Sequence, residues 1–97
     1  MTSMTTPAHE PAGADEALVR SHAPELAQLA AEHGISDLRF ASTGRLIGHV
    51  ADDRDMFDVA AFAASAERLL GTSVLLLSDT VLRKPHVSAD LVHARAL

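Results

Sequence analysis

At 97 residues, 47% hydrophobic and without cysteine, the chain has room for one core and excludes both a disulfide framework and a thiolate zinc site. Its formal charge of −5 comes with dispersed basic residues (Arg83-Lys84-Pro85-His86 is the densest group), so no phosphate-neutralising face for nucleic acid is legible and a basic protein is the better-matched partner. No apolar run approaches the ~18 residues of a membrane helix and no basic-then-apolar leader opens the chain, which makes a soluble cytoplasmic protein the expectation. One Lys against seven Arg, in an Ala-rich chain, matches a high-GC bacterial composition.

Residues 1–14 are Thr, Pro, Ala and Gly without an apolar period and read as a disordered tail, leaving one domain over 15–97. A domain so short sits near the lower limit for independent stability, and burial against a partner or in a homodimer would help it. Leu18, Leu26, Leu29 and Ala30 recur at near-helical spacing. Pro24 removes an amide donor and disfavours helix at Ala23, so two helices are expected, 15–21 and 24–33, the second stopped by Gly34. Leu38 and Phe40 alternate with Arg39 in a half-buried strand over 37–41. Ser42-Thr43-Gly44 is a turn, and a second strand over 45–50 completes an antiparallel hairpin in which Gly48 marks a bulge.

Asp52, Asp53 and Asp55 crowd the start of a helix over 55–70, where negative charge complements the helix dipole. Met56, Val59, Ala60, Ala63, Ala66 and Leu70 form its expected core stripe, widened by Phe57, Phe62 and Leu69, and Gly71 ends it. An apolar run places a third strand over 73–77. A short helix over 80–83, a break at Lys84-Pro85 and a last helix over 89–95 capped by Ser88 follow. The fold class is α/β (α+β): about three strands, with helices packed on one face.

The order of these elements resembles the minimal nucleotidyltransferase antitoxins, small relatives of the polymerase β palm. The residues that carry it are Ala31-Glu32-His33-Gly34-Ile35-Ser36-Asp37-Leu38-Arg39, then Phe40-Ala41-Ser42. Met56-Phe57-Asp58-Val59 continues it, followed by Glu67-Arg68-Leu69-Leu70-Gly71-Thr72-Ser73-Val74 and Leu82 near Lys84-Pro85. The resemblance implies a truncated nucleotidyltransferase-like domain whose partner is a HEPN-type RNase toxin. It also implies that Ser42 and Arg45 stand where the family faces a triphosphate. The family's turn has Gly before the Ser and after the Arg; here Ala41 and Leu46 take those places. The family's second strand ends in two carboxylates on magnesium, whereas Leu46-Ile47-Gly48-His49-Val50 has none, and only Asp53-Arg54-Asp55 lies at a compatible distance.

Two functions from different classes follow. In the first the chain is non-catalytic, uses no cofactor and binds a protein, with Asp52, Asp53, Asp55 and Asp58 as the electrostatic contact to a basic toxin. In the second it transfers a nucleoside monophosphate from ATP to a partner, with Ser42 and Arg45 on the triphosphate and Asp53 and Asp55 on magnesium. A plain dimerisation module is a third possibility. The acidic cluster also reads as a solvated loop and helix cap, and Ser42-Thr43-Gly44 as an ordinary hairpin turn. The six histidines show no metal-ligand spacing, and no nucleophile elbow surrounds Ser42, His49 and Asp53.

Overall fold

The computed structural model describes residues 13–97. Among these residues four helices and four strands follow in the order α1 (Glu16–Ser21), α2 (Ala23–Glu32), β1 (Ile35–Ser42), β2 (Arg45–Val50), α3 (Met56–Leu70), β3 (Leu75–Ser78), α4 (Ala89–Val92) and β4 (Arg95–Ala96), with a 3-10 helix at Asp79–Arg83. Local chemistry accounts for most boundaries. Asp15 caps α1 by accepting from the Leu18 N–H at 2.9 Å. The backbone breaks at His22, which ends α1 and opens α2 with Pro24 in the first turn, where its missing N–H costs nothing. Gly71 closes α3 at φ 76°, a left-handed position that glycine adopts without strain.

The sheet is mixed, in the order β3-β2-β1-β4. β2 runs antiparallel to β1 and parallel to β3, and β4 pairs antiparallel on the outside of β1. The count is therefore four strands rather than three. The fourth arises where a helix over 89–95 is expected: α4 stops at Val92, and the chain turns to pair Arg95 with Phe40 and Ala96 with Arg39. Leu97 adds an N–H bond to the Leu38 carbonyl at 3.1 Å, so the open edge of β1 outcompetes three more residues of helix.

The bulge expected at Gly48 lies across from it. Ser36 pairs with His49 and Arg39 with Ile47, so Asp37 and Leu38 together oppose Gly48. Asp37 takes the left-handed conformation there (φ 55°). Gly48 is buried, and a Cβ on it would lie 2.9 Å from Ile35 Cγ2 and 3.3 Å from Leu38 Cδ2. Side chains on the bulged strand fill the space that a missing Cβ leaves.

The main core lies between the sheet and α1–α3, where Val19, Leu26, Leu46 and Phe62 are fully buried with Phe40, Ala66 and Leu76 around them. Helices do not keep to that face alone. Ile47 alternates with Leu46 and so points the other way; it and Leu91 of α4 are buried yet stand outside the main cluster. α4 therefore covers part of the opposite face. The stripe expected on α3 is rotated as well: Phe62, Ala66 and Leu70 are buried and Val59 and Leu69 partly so, whereas Met56 and Phe57 are 74% and 76% exposed.

Of the tail expected over 1–14, residues 1–12 lie outside the described residues, and Gly13 and Ala14 are part of the fold. Ala14 is buried, donates to the Ser73 carbonyl at 3.1 Å and accepts from the Gly44 N–H at 2.8 Å. A Cβ on Gly13 would lie 2.4 Å from the Gly44 Cα, so this close approach requires glycine. Among the described residues no helix is long and apolar enough to cross a membrane.

Candidate functional site: the hairpin end and the acidic turn

The tight turn Thr43-Gly44 sets Ser42 and Arg45 opposite each other as cross-strand partners. Gly44 takes φ 78° and is fixed on both sides, its N–H held by Ala14 and its carbonyl by the Leu75 N–H at 2.8 Å. The two side chains on this rigid platform converge on one group, the carboxylate of Asp90 in α4. The Ser42 hydroxyl donates to Asp90 Oδ2 at 2.6 Å, and Arg45 Nη1 lies 3.1 Å from the same oxygen. The Ser42 hydroxyl, joined by Ser88 and by the charge of Arg45, holds the Asp90 carboxyl below its ordinary range. Leu91, buried beside this contact, anchors α4 against the sheet. A hydroxyl and a guanidinium aimed at one point form an anion site, and here the chain supplies the anion.

The acidic turn stands at the other end of β2. Six residues separate the two ends, about 20 Å at the usual rise per residue. Asp52 and Asp53 are exposed in the turn. Asp55 is the N-cap of α3, accepting from the N–H groups of Phe57 at 3.0 Å and Asp58 at 3.4 Å. Asp58 answers it, accepting from the Asp55 N–H at 3.3 Å and from Arg54 Nη1 at 3.1 Å, which makes a capping box. The Asp55 backbone bond first, then Arg54, lowers the Asp58 carboxyl below its ordinary range. The stem of Arg54 lies against Gly34, where a Cβ would meet its Cγ at 2.5 Å.

The structure thus brings Ser42 and Arg45 together, and Asp55 and Asp58 together, but it does not bring one pair to the other. A triphosphate held by Ser42 and Arg45 would not share a magnesium ion with Asp53 and Asp55. Among the described residues no three His, Asp or Glu side chains stand where they could hold a metal. His49 turns to Asp79 (Nδ1 to Oδ2, 3.1 Å), away from both Ser42 and Asp53. Asp90 escaped the sequence reading. Its only local signal is an acidic residue at the start of a short last helix, and its contact with Ser42 spans 48 positions.

None of the family models or curated proteins compared with the chain matches it. Among solved structures it is similar to one described as "Structure of putative minimal nucleotidyltransferase", at 23% identity and a TM-score of 0.66, over 86% of this chain and 94% of that one. The fold is nucleotidyltransferase-like. At that identity the likeness extends to the fold alone.

Proposed function

We propose that this chain is a non-catalytic nucleotidyltransferase-like protein that acts by binding another protein, as the antitoxin of a bacterial toxin–antitoxin pair with a helical HEPN-type RNase. The observation that carries the loss of catalysis is Asp90. The two donors best placed to hold a phosphate are spent on a carboxylate, and an incoming anion would meet that negative charge. The carboxylates available for magnesium lie a strand's length away, and Asp55 is committed to its helix. Binding in place of chemistry is supported by Met56 and Phe57, large apolar side chains left in water beside an acidic turn. Asp52 and Asp53 have no helix-capping duty there and would speed encounter with a basic partner, an effect that fades as salt screens it.

Incubation of the chain with labelled ATP, magnesium and the co-purified partner tests the reading. The expected result is no label on the partner above background. Label that disappears with Asp53→Asn would make the protein a magnesium-dependent nucleotidyltransferase and overturn the proposal.

A further inference from the structure

β3 is the outer strand of the sheet, and among the described residues nothing pairs with its far edge. The Leu75 N–H donates inward to the Gly44 carbonyl. Backbone groups alternate along a strand, so Leu77 also faces β2, while the N–H and C=O groups of Leu76 and the N–H of Ser78 face outward; the Ser78 carbonyl instead opens the 3-10 helix that follows. Leu75 on this strand is 53% exposed, and the outward groups of Leu76, a core residue, meet no protein partner among the described residues. Unpaired backbone groups along a sheet edge are a ready template for another strand. The strand Leu-Leu-Leu-Ser also carries neither the charge nor the proline that usually guards an edge.

Beside this edge α3 forms a wall, leaving a groove of about 370 Å³ lined by Met56, Ala60, Ala63 and Leu75. It continues past Val59 into a second depression of about 440 Å³ that reaches Asp52 and Asp55. Because α3 runs back along the sheet, Glu67 stands at the Leu75 end, held to the Val74 N–H at 3.1 Å, and Asp52 and Asp55 stand at the Ser78 end. The groove is apolar along its length and carries net negative charge at both ends: Glu67 at one, and at the other Asp52 and Asp55 beside Arg54, whose charge is paired with Asp58 at 3.1 Å.

We propose that this edge takes an extended segment of a partner protein as a fifth strand, with alternating apolar residues and lysine or arginine at its ends. The inference rests on the protein-binding reading above and names the surface and the chemistry of its ligand. Backbone bonds to Leu76 and Ser78 supply the pairing, and the apolar side chains lie against Met56, Ala60 and Ala63. Charge decides against a second copy of this chain. Two-fold pairing of β3 with itself would set the Glu67 end of one groove against the Asp52 and Asp55 end of the other.

The test uses the full chain and a nine-residue peptide that alternates valine and threonine between two lysines at each end. Backbone amide shifts and hydrogen exchange are followed by NMR. The expected result is shifts confined to α3 and β3, with exchange at the Leu76 and Ser78 amides slowed at least tenfold. The same peptide ended by glutamates should bind at least tenfold more weakly at low salt. Ala60→Arg, at an exposed helix position, should leave the melting temperature unchanged and abolish binding. No binding at millimolar peptide, binding centred elsewhere, indifference to Ala60→Arg, or Leu76 and Ser78 amides already protected in the free chain would each overturn the proposal. A co-purified partner that ignores both the peptide and Ala60→Arg would remove the edge site but leave the protein-binding reading standing. Nucleotide transfer would remove that reading and leave the peptide result intact.

Discussion

Replacing Asp90 separates a structural carboxylate from an incidental one. In Asp90→Asn the side chain keeps its size and one accepting oxygen but loses its charge. A hydrogen bond to a charged group contributes about 1.5–3 kcal/mol when well shielded. Here Arg45 and Asp90 are 37% and 21% exposed, so water screens the pair, and about 1 kcal/mol is the reasonable loss. Asp90→Ala also leaves the half-buried Ser42 hydroxyl without its partner and should cost about 2 kcal/mol. For a domain of this size each kcal/mol moves the melting temperature by about 4–8 °C. Thermal unfolding followed by circular dichroism at pH 7 should therefore fall by about 5 °C in the first variant and about 10 °C in the second. The pH dependence carries the sign. Ser42 above all, then Ser88 and Arg45, depress the folded-state value of Asp90, so its contribution is complete above its unfolded value of about 3.9 and is lost as pH falls through the lowered folded value. Wild type and Asp90→Asn should differ above about pH 4 and converge in stronger acid. Glu16, Asp37 and Asp58 are also depressed but are common to both proteins and cancel. A gap that persists unchanged in acid, or no gap at pH 7, would refute the argument.

Gly48→Ala should destabilise by about 1–3 kcal/mol, because the new Cβ meets the branched side chain of Ile35 at 2.9 Å; denaturant unfolding measures it, and a neutral result would mean that the bulge relaxes freely. Leu70→Asp places a charge in the core and should unfold the domain, whereas Val59→Asp, at the half-buried wall of the α3 groove, should cost distinctly less; equal far-ultraviolet spectra for both would contradict the rotated stripe. Phe62→Ala should cost about 3–5 kcal/mol and Phe57→Ala less than about 0.5, although they lie on the same helix; chemical denaturation should rank them so.

What the sequence made legible was local. Both helix breaks, the hairpin and the glycine stop of α3 follow from groups within a few residues of one another: Pro24, the Thr43-Gly44 turn, Gly71. The acidic cap at Asp55 is of the same kind, whereas the bond that Asp58 returns to it, three positions on, emerges only in the structure. The orientation of α3 was not legible, because its alanines carry little weight in choosing a face. A line through Met56, Ala60 and Ala63 is as periodic as the buried line through Phe62, Ala66 and Leu70. Only the position of β3 at the sheet edge leaves the first line without cover. β4 has two residues and no period to read, and Asp90 meets Ser42 through a fold that brings distant elements together.

These misses bear on function together. The sequence directs attention to Ser42, Arg45, Asp53 and Asp55 as one catalytic group, and strand β2 keeps them apart. One end of the hairpin is closed by the chain's own anion, since Asp90 satisfies donors that a phosphate would otherwise need. If that occupancy is what silences the site, removing it should restore anion binding without restoring catalysis. Asp90→Ala frees a hydroxyl and a guanidinium on a turn whose backbone Ala14 and Leu75 still hold. Inorganic phosphate should then raise the melting temperature of the variant in a concentration-dependent manner, while wild type stays unresponsive. Two carboxylates to carry magnesium would still be missing from β2, so no nucleotide transfer should accompany the bound phosphate.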